Sequence, residues 1–325
     1  MRKERPNIIV IMADDMGHGD INGYGNPIAI TPNLDSMINN GISLMQHYSA
    51  SPMCAPARAA FLTGKYPHRT GAIDVSTGRG LDRIAATEHL ISEAFKKNGY
   101  KTGLIGKWHN GRDSKKYHPM KRGFDEFIGF DVGICDYWDW KIEKNGKNLS
   151  ADGRYLTDVL TDEASDFIKR NADEPFFLMV TYNAPHTPLQ AHKDDIEIFK
   201  KTGKCNSAVS TIHAMIKRMD EGIGVIRDTV SKAGLEANTI ILFTSDNGPC
   251  FRGEGENCQK RFNIGLSGMK GFTLDGGIRV PAIITAPWVE SGQRIYDVFH
   301  FTDWYITLLS IAAVSYTHLR AHETS

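Results

Sequence analysis

The chain has no excess of charge of either sign, because its 38 lysines and arginines balance 38 aspartates and glutamates over 325 residues. Without a basic excess it lacks the electrostatic footprint of a nucleic-acid-binding protein and the polybasic segment that attaches a protein to a membrane surface. It also lacks any apolar run near the roughly 20 residues that a membrane-spanning helix needs. We therefore expect no nucleic-acid partner and no membrane span.

Cysteine is also scarce, with Cys54, Cys135, Cys205, Cys250 and Cys258 at irregular spacing. An odd number of cysteines at such spacing predicts neither a zinc site nor a disulfide framework. Free thiols are the expected state, and a bridge between Cys250 and Cys258 is the alternative.

The amino-terminal region does not show the pattern of a signal peptide, since the apolar run at residues 8–13 is short and leads directly into two aspartates. The sequence as written therefore predicts a cytoplasmic protein. A periplasmic or secreted location is the alternative if a signal has been lost, so the compartment stays open.

Apolar, β-rich runs alternate with helical patterns, which predicts an α/β fold with a large, mostly parallel sheet between helices. The predicted strands are residues 7–12, 101–105, 176–182, 239–244 and 280–285. The predicted helices are residues 31–41, 87–98 with Thr87 as cap, 155–170, 207–232 and 303–313. Residues 131–150 have no clear period and are predicted to form a surface excursion, with a position over the candidate site as one possibility.

The motif Cys54-Ala55-Pro56-Ala57-Arg58 is the most informative part of the chain. Proline favours the first position of a helix, where its missing N–H would have no partner, so the motif predicts Cys54 at a helix N-terminus. The N–H groups at that end favour anions, and Arg58 lies one turn later on the same face. The motif indicates a nucleophile beside an anion-binding group, and a buried cysteine at a helix start is the alternative.

Two acidic clusters each follow an apolar strand directly: Asp14-Asp15, and Asp246-Asn247 within Ser-Asp-Asn-Gly. Ligands of open α/β sheets lie at the carboxyl ends of strands. Carboxylate and amide oxygens are hard ligands that suit Ca²⁺ or Mg²⁺. The two clusters together predict a divalent-cation site, whereas each alone is typical of a solvated turn.

Three further polar motifs lie at predicted strand ends. Lys107 and His109 end one strand, His186 lies between two prolines after another, and Lys270 lies in a glycine-rich loop before a third. A lysine can hold an anionic oxygen, and a histidine can move a proton near neutral pH. Each motif in isolation is typical of a surface or packing residue, but strand ends of one sheet converge, so we expect one site.

Taken together, these motifs resemble the type I sulfatases of the alkaline-phosphatase-like superfamily. The resemblance runs from Pro6 to about Ala313 and rests on motifs in the family's order: P-N-I-I-V-I-M-A-D-D, C-A-P-A-R, G-K-W-H, A-P-H, S-D-N-G, M-K-G and G-G-I-R-V-P. Asn110 and the pair Leu274-Asp275 depart from the family's usual pattern, but neither departure falls on a residue with a proposed chemical role.

The resemblance implies a sulfatase that hydrolyses the sulfate ester of a glycan or an aryl alcohol. It implies that Cys54 is oxidised to formylglycine by a formylglycine-generating enzyme or a radical maturase, and that Arg58 steadies the aldehyde hydrate. Lys107 and Lys270 would grip the sulfate, His186 would assist the leaving alcohol, and His109 would act as the later base. The implied ligands of Ca²⁺ or Mg²⁺ are Asp14, Asp15, Asp246 and Asn247, together with the modified Cys54.

Two alternative functions stay open. One is a phosphoester or phosphonate hydrolase of the same superfamily, and the other is a non-catalytic glycan-binding homologue. The complete set of motif residues disfavours the second, because a binding protein needs neither a nucleophile nor a proton carrier.

The sequence changes character at Val314, where an apolar helical pattern gives way to residues that resemble a translated sequencing adapter. We expect a catalytic domain at residues 1–313 and a non-native tail at residues 314–325, with a genuine polar terminus as the alternative. The resemblance implies that the family's small antiparallel carboxyl-terminal subdomain is missing.

Overall fold

The computed structural model describes residues 5–112, 114–251, 258 and 261–314. Its central strand is β1 (Asn7–Ala13), in which every residue is buried. A strand that is buried throughout and apolar from its second residue onward suits the middle of a sheet with helices on both faces. Ile9 and Ile11 lie in one core cluster, and Ile8 and Val10 lie in the other. Strand β1 therefore separates two hydrophobic cores.

The other strands are β2 (Ile42–Tyr48), β3 (Lys101–Lys107), β4 (Glu126–Phe130), β5 (Lys141–Lys144), β6 (Lys147–Ser150), β7 (Phe176–Thr181), β8 (Thr239–Ser245), β9 (Ala282–Thr285) and β10 (Gln293–His300). They form one sheet in the order β10-β2-β9-β8-β1-β7-β3-β4-β5-β6. Strands β8, β1, β7, β3 and β4 run parallel, whereas β9 runs antiparallel to both of its neighbours. This sheet confirms the predicted fold class.

The helices are α1 (Pro32–Asn40), α2 (Cys54–Thr63), α3 (Pro67–Thr70), α4 (Ile91–Lys97), α5 (Leu156–Arg170), α6 (Lys193–Lys200), α7 (Ser207–Lys232), α8 (Asp275–Ile278) and α9 (Asp303–Ile311). Buried residues of α1, α5 and α7 belong to one core cluster, and those of α2, α4 and α9 belong to the other. Among the described residues, no helix is long and apolar enough to cross a membrane. None of the five cysteines, all of which are described, forms a disulfide.

Several elements differ from the prediction. Residues 131–150 contain β5 and β6, which extend one edge of the sheet. The pattern missed them because each strand has only 4 residues, and every residue of β6 is exposed. The pattern also missed β2, β4 and the largely exposed edge strand β10. Thr87 is not a helix cap. Helix α4 begins at Ile91, and the Glu93 carboxylate accepts the N–H of Leu90 at 3.1 Å. Residues 315–325 of the predicted tail lie outside the described residues.

A buried histidine joins three segments of one core: β2, α9 and the residues just before β9. In β2, His47 Nε2 accepts the Trp304 indole N–H at 2.8 Å, so this nitrogen carries a lone pair. The other ring nitrogen, Nδ1, then donates to the Val280 carbonyl at 3.3 Å. Burial is the main cause that lowers the pKa of His47 to about 3. The native fold therefore requires the neutral imidazole.

This requirement predicts loss of stability in acid. The unfolded chain binds a proton at His47 below about pH 6.5, whereas the native chain does so only near pH 3. Between these values each lower pH unit should remove up to ~1.4 kcal/mol of unfolding free energy through this residue. Urea unfolding measured between about pH 6.5 and pH 3 should show that the unfolding free energy falls less steeply with decreasing pH in His47→Gln than in the wild type. Exposed His89→Gln serves as control, and equal slopes in wild type and His47→Gln would contradict the prediction.

Candidate active site and cation centre

The topology of the sheet brings the predicted site residues together at the carboxyl ends of its central parallel strands. Four adjacent parallel strands end there, and antiparallel β9 begins there, so the loop before β9 reaches the same place. The residues are supplied as follows: Asp14 and Asp15 after β1, Lys107 and His109 at the end of β3, His186 after β7, Asp246 and Asn247 after β8, and Lys270 before β9. The expected convergence of strand ends is therefore present in the structure.

Helix α2 provides Cys54 and Arg58 to the same strand ends. Cys54 is its first residue. The prediction placed Pro56 at the first helical position, whereas the structure places it at the third. Pro56 still lies in the first turn, where its missing N–H costs no helical hydrogen bond. Burial raises the pKa of the Cys54 thiol. The unmodified side chain is therefore a neutral thiol at neutral pH, which is a poor nucleophile.

Three buried carboxylates face three positively charged side chains, of which Lys107 and Arg58 are buried and Lys270 is partly buried. Lys107 Nζ lies 2.7 Å from Asp14 Oδ2. Lys270 Nζ lies 2.7 Å from Asp15 Oδ1, and Arg58 Nη2 lies 2.8 Å from Asp246 Oδ2.

The three positive and three negative side chains cancel, so a divalent cation would leave the centre positive. A positive centre buried in protein attracts an anionic ligand.

The carboxylates differ in acidity. Burial opposes the ionisation of Asp14 and Asp15, but Lys107 and Lys270 outweigh it and hold the pKa of each carboxyl below its usual range. Burial and the charge of Asp14 together raise the pKa of Asp246 to about 6, although Arg58 opposes this rise. Asp246 is therefore the carboxyl of the cluster that takes up a proton first as the pH falls.

The donor set fits a hard divalent cation. The Oδ1 atoms of Asp14 and Asn247 are buried and accept no hydrogen bond, which is costly unless another positive group approaches them. Single ligand atoms of Asp14, Cys54 and Asp246 lie within 4.8 Å of one another, as do those of Asp14, Asp15 and His186. Carboxylate and amide oxygens are the ligands of Ca²⁺ and Mg²⁺.

The two histidines have fixed tautomers. His109 Nε2 lies 3.3 Å from the Val75 carbonyl and donates to it, so Nδ1, which is buried without a hydrogen-bond partner, carries the lone pair. Burial and the charge of Lys107 lower the pKa of His109 to about 2. His186 donates from Nδ1 to the Thr187 carbonyl at 2.8 Å, and its Nε2 lies 3.7 Å from Asp15 Oδ2.

A cavity of about 370 Å³ opens beside these groups. Cys54, His109, His186 and Lys270 all line it. Its remaining wall is mostly apolar and consists of Met53, Val75, Thr77, Val132, Gly133 and Ile134. The volume lies in the range of small-molecule sites.

Sequence reasoning did not assign a role to several residues that support the site. Tyr137 donates its hydroxyl proton toward the carbonyls of Asn183 and His186, at 2.7 and 2.9 Å, and so holds the His186 loop. Asn110 Nδ2 donates to the Ala55 carbonyl at 2.9 Å in the first turn of α2. These contacts join residues that are distant in sequence, and no local spacing signals them.

Comparison with known proteins gives a consistent result. A family model described as Sulfatase matches residues 6–314. N-acetylgalactosamine-6-sulfatase of Homo sapiens is 35% identical over 337 residues, which cover 95% of this chain and 62% of that protein. Arylsulfatase J of Mus musculus is 33% identical over 324 residues, with 95% and 52% covered.

A solved structure described as Ps i-CgsB in complex with k-i-k-neocarrahexaose has a TM-score of 0.90 and 34% identity. The match covers 97% of this chain and 74% of that one. The chain thus spans 62% of the human relative's length and 52% of the mouse relative's length.

Cation binding should weaken in mild acid, because a proton on Asp246 competes with the cation. With a pKa of about 6 for Asp246, the apparent association constant for Ca²⁺ should fall by up to about tenfold per pH unit below pH 6. Isothermal titration calorimetry between about pH 7 and pH 5 measures this change. Asp246→Asn should bind more weakly and lose most of the pH dependence. Equal wild-type affinity across that range would contradict the prediction.

Proposed function

Because the chain belongs to the sulfatase family, we propose that it hydrolyses a sulfate ester with a nucleophile derived from Cys54. The observation that carries the proposal is the position of Cys54, which opens a buried helix beside three carboxylates paired with three cations. Such a centre offsets the negative charge that develops on sulfate oxygens during transfer. A plain binding site would not require a buried nucleophile there.

We assign a sulfated glycan as the substrate class. The similar proteins include an N-acetylgalactosamine-6-sulfatase and a structure with a bound neocarrahexaose. The apolar wall formed by Val75, Val132 and Ile134 offers contact to the C–H face of a sugar ring, while the charged floor takes the sulfate. An aryl sulfate would fit the same wall through its ring and serves as a convenient test substrate.

Cys54 requires conversion to formylglycine, in which Cβ is oxidised to an aldehyde and the thiol sulfur is lost. A formylglycine-generating enzyme or a radical maturase supplies the oxidising chemistry and is the partner we propose. The hydrated aldehyde supplies two hydroxyls, one to attack sulfur and one to expel sulfate afterwards. The neutral thiol of unmodified Cys54 offers neither.

The residues that would hold Ca²⁺ or Mg²⁺ are Asp14, Asp15, Asp246 and Asn247, with the modified Cys54 beside them. When bound, the cation supplies positive charge that polarises the sulfate oxygens. Lys107, which pairs with Asp14, and Lys270, which pairs with Asp15, bind the sulfate oxygens. Arg58, fixed by Asp246 and by the Lys107 carbonyl at 3.1 Å, steadies the nucleophile.

The histidine tautomers suit two opposite proton transfers. His186 keeps its Nδ1 proton on the Thr187 carbonyl, so Nε2 is the atom that can carry a second proton to the leaving alcohol oxygen. His109 is neutral and presents the Nδ1 lone pair. It accepts the proton that is lost when the aldehyde is restored and sulfate leaves, because the negative charge of the bound sulfate would offset the Lys107 charge, which adds to burial in lowering the pKa of His109.

The first test is the chemical state of Cys54. The chain expressed with a working maturation enzyme should lose the mass that separates a thiol from an aldehyde in the Cys54 peptide, as measured by mass spectrometry. Cys54→Ala should lower kcat/KM on an aryl sulfate about a thousandfold or more. Cys205→Ala, a change at another thiol, should leave it unchanged.

Two outcomes would contradict the proposal. An unmodified Cys54 thiol, with the maturation enzyme active on a control protein, would exclude the nucleophile. A higher kcat/KM on the matched aryl phosphate than on the aryl sulfate would favour the phosphoester hydrolase.

Gly133 should be sensitive to the smallest enlargement. A Cβ at this position would lie 2.7 Å from His109 Cε1, closer than atoms of these types can approach. Gly133→Ala should therefore displace the imidazole and lower kcat on an aryl sulfate by up to about 100-fold, with Ca²⁺ affinity unchanged. Gly78→Ala, where a Cβ meets open space, is the matched control. Unchanged kcat in Gly133→Ala would argue against a role for His109.

A further inference from the structure

We propose that Arg261 and Asp20, which touch no substrate-facing group, position the cation-binding turn at Asp15. The inference rests on the cation site of the proposed function and goes beyond it, because it assigns a role to a buried ion pair outside the catalytic pocket. Neither residue belongs to the motifs that carry the family resemblance.

The pair is buried and doubly hydrogen-bonded. Arg261 Nε donates to Asp20 Oδ1 at 2.7 Å, and Arg261 Nη2 donates to Asp20 Oδ2 at 2.6 Å. The side chains are 1% and 0% exposed. A buried charge pair with this geometry is costly to break from one side, because the remaining charge has no partner. Its retention in the interior requires a structural reason, and its third contact supplies one.

That third contact reaches the candidate cation ligand. Arg261 Nη2 also donates to the backbone carbonyl of Asp15 at 2.9 Å. Asp15 has φ of 66°, a left-handed conformation that residues with a side chain adopt rarely. Its N–H donates to Asp246 Oδ1 at 3.2 Å. The peptide groups on both sides of Asp15 are therefore held, one by a ligand residue and one by Arg261.

Asp20 extends the same control to the rest of the turn. Its Oδ2 accepts the Gly17 N–H at 2.7 Å, so one carboxylate binds both Arg261 and the backbone two residues beyond Asp15. At Gly19, a Cβ would lie 2.2 Å from the Phe262 carbonyl oxygen, so the turn contacts the backbone that follows Arg261 directly. The segment after β1 is thus fixed against residues 261–263.

This arrangement separates positioning from binding. Lys270 and Asn247 Nδ2 contact the carboxylate of Asp15, at 2.7 and 2.8 Å. Arg261 contacts only its backbone. Loss of Arg261 would leave the carboxylate, its charge and its side-chain partners in place, but would release the left-handed backbone that directs them. We therefore expect weaker cation binding with an intact fold.

The test is a Ca²⁺ titration of the full chain by calorimetry after removal of metal with EDTA. Arg261→Lys keeps the charge, but an ammonium cannot span both Asp20 oxygens and the Asp15 carbonyl as the planar fork does. Its dissociation constant for Ca²⁺ should rise about 10- to 100-fold, the usual effect of removing a group that orients a metal ligand. The dissociation constant of Asp20→Asn for Ca²⁺ should also rise.

Arg218→Lys is the control for the same change in a paired arginine, because Arg218 on α7 donates from Nε and Nη2 to the two oxygens of Asp158 on α5 at 2.8 Å each, in a partly exposed position outside the cation cluster. It should bind Ca²⁺ as the wild type does. The melting temperatures of Arg261→Lys and the wild type, both measured in EDTA, should lie closer together than those measured in saturating Ca²⁺.

Three results would overturn the inference. Wild-type affinity in both Arg261→Lys and Asp20→Asn would show that the pair does not position the ligand. Failure of both variants to fold, by circular dichroism, would assign the pair to the stability of the fold. Absence of Ca²⁺ and Mg²⁺ binding by the wild type would remove the proposed cation site itself, and with it this role.

Discussion

The constraint on which this structure depends is the burial of three carboxylates at one edge of a sheet. Such charges are tolerated in a protein interior only when they are paired. Here Lys107, Lys270 and Arg58 each approach one carboxylate within 2.8 Å. The cations come from three separate segments, so the loops after β3, around Lys270 and at the start of α2 are held together by the charge balance of the site.

Neutrality also explains how the site can serve chemistry. When a divalent cation is added to a cluster in which the charges cancel, the centre becomes positive. The positive centre then attracts an anionic ester. The same burial determines the protonation states of His109 and Cys54. It keeps His109 neutral with its Nδ1 lone pair available, and it keeps the unmodified Cys54 thiol protonated. Chemistry at Cys54 therefore depends on the modification that we propose and not on ionisation of the thiol.

The sequence predicted the interior of the fold better than its edges. Strands β1, β7 and β8 are buried at every residue and each has a continuous apolar run at its centre, so their patterns are clear. Strands β6 and β10 lie at the two edges of the sheet and are mostly exposed, so neither shows the buried apolar run that marks the central strands. Pairing with a neighbouring strand decides such edges, and pairing is not visible in local composition.

For the site, the sequence by itself determined which residues are present and that each follows or precedes a strand. Each polar motif lies next to a predicted strand, and ligands of open α/β sheets lie at the carboxyl ends of strands. These two points were enough to predict that the motif residues form one cluster. Only the tertiary structure decided which cation meets which carboxylate, why Asp246 is the least acidic of the three, and that Arg261 reaches Asp15 from 246 residues away. The physical reason is that pairing and burial depend on distance in space, which a linear sequence does not contain.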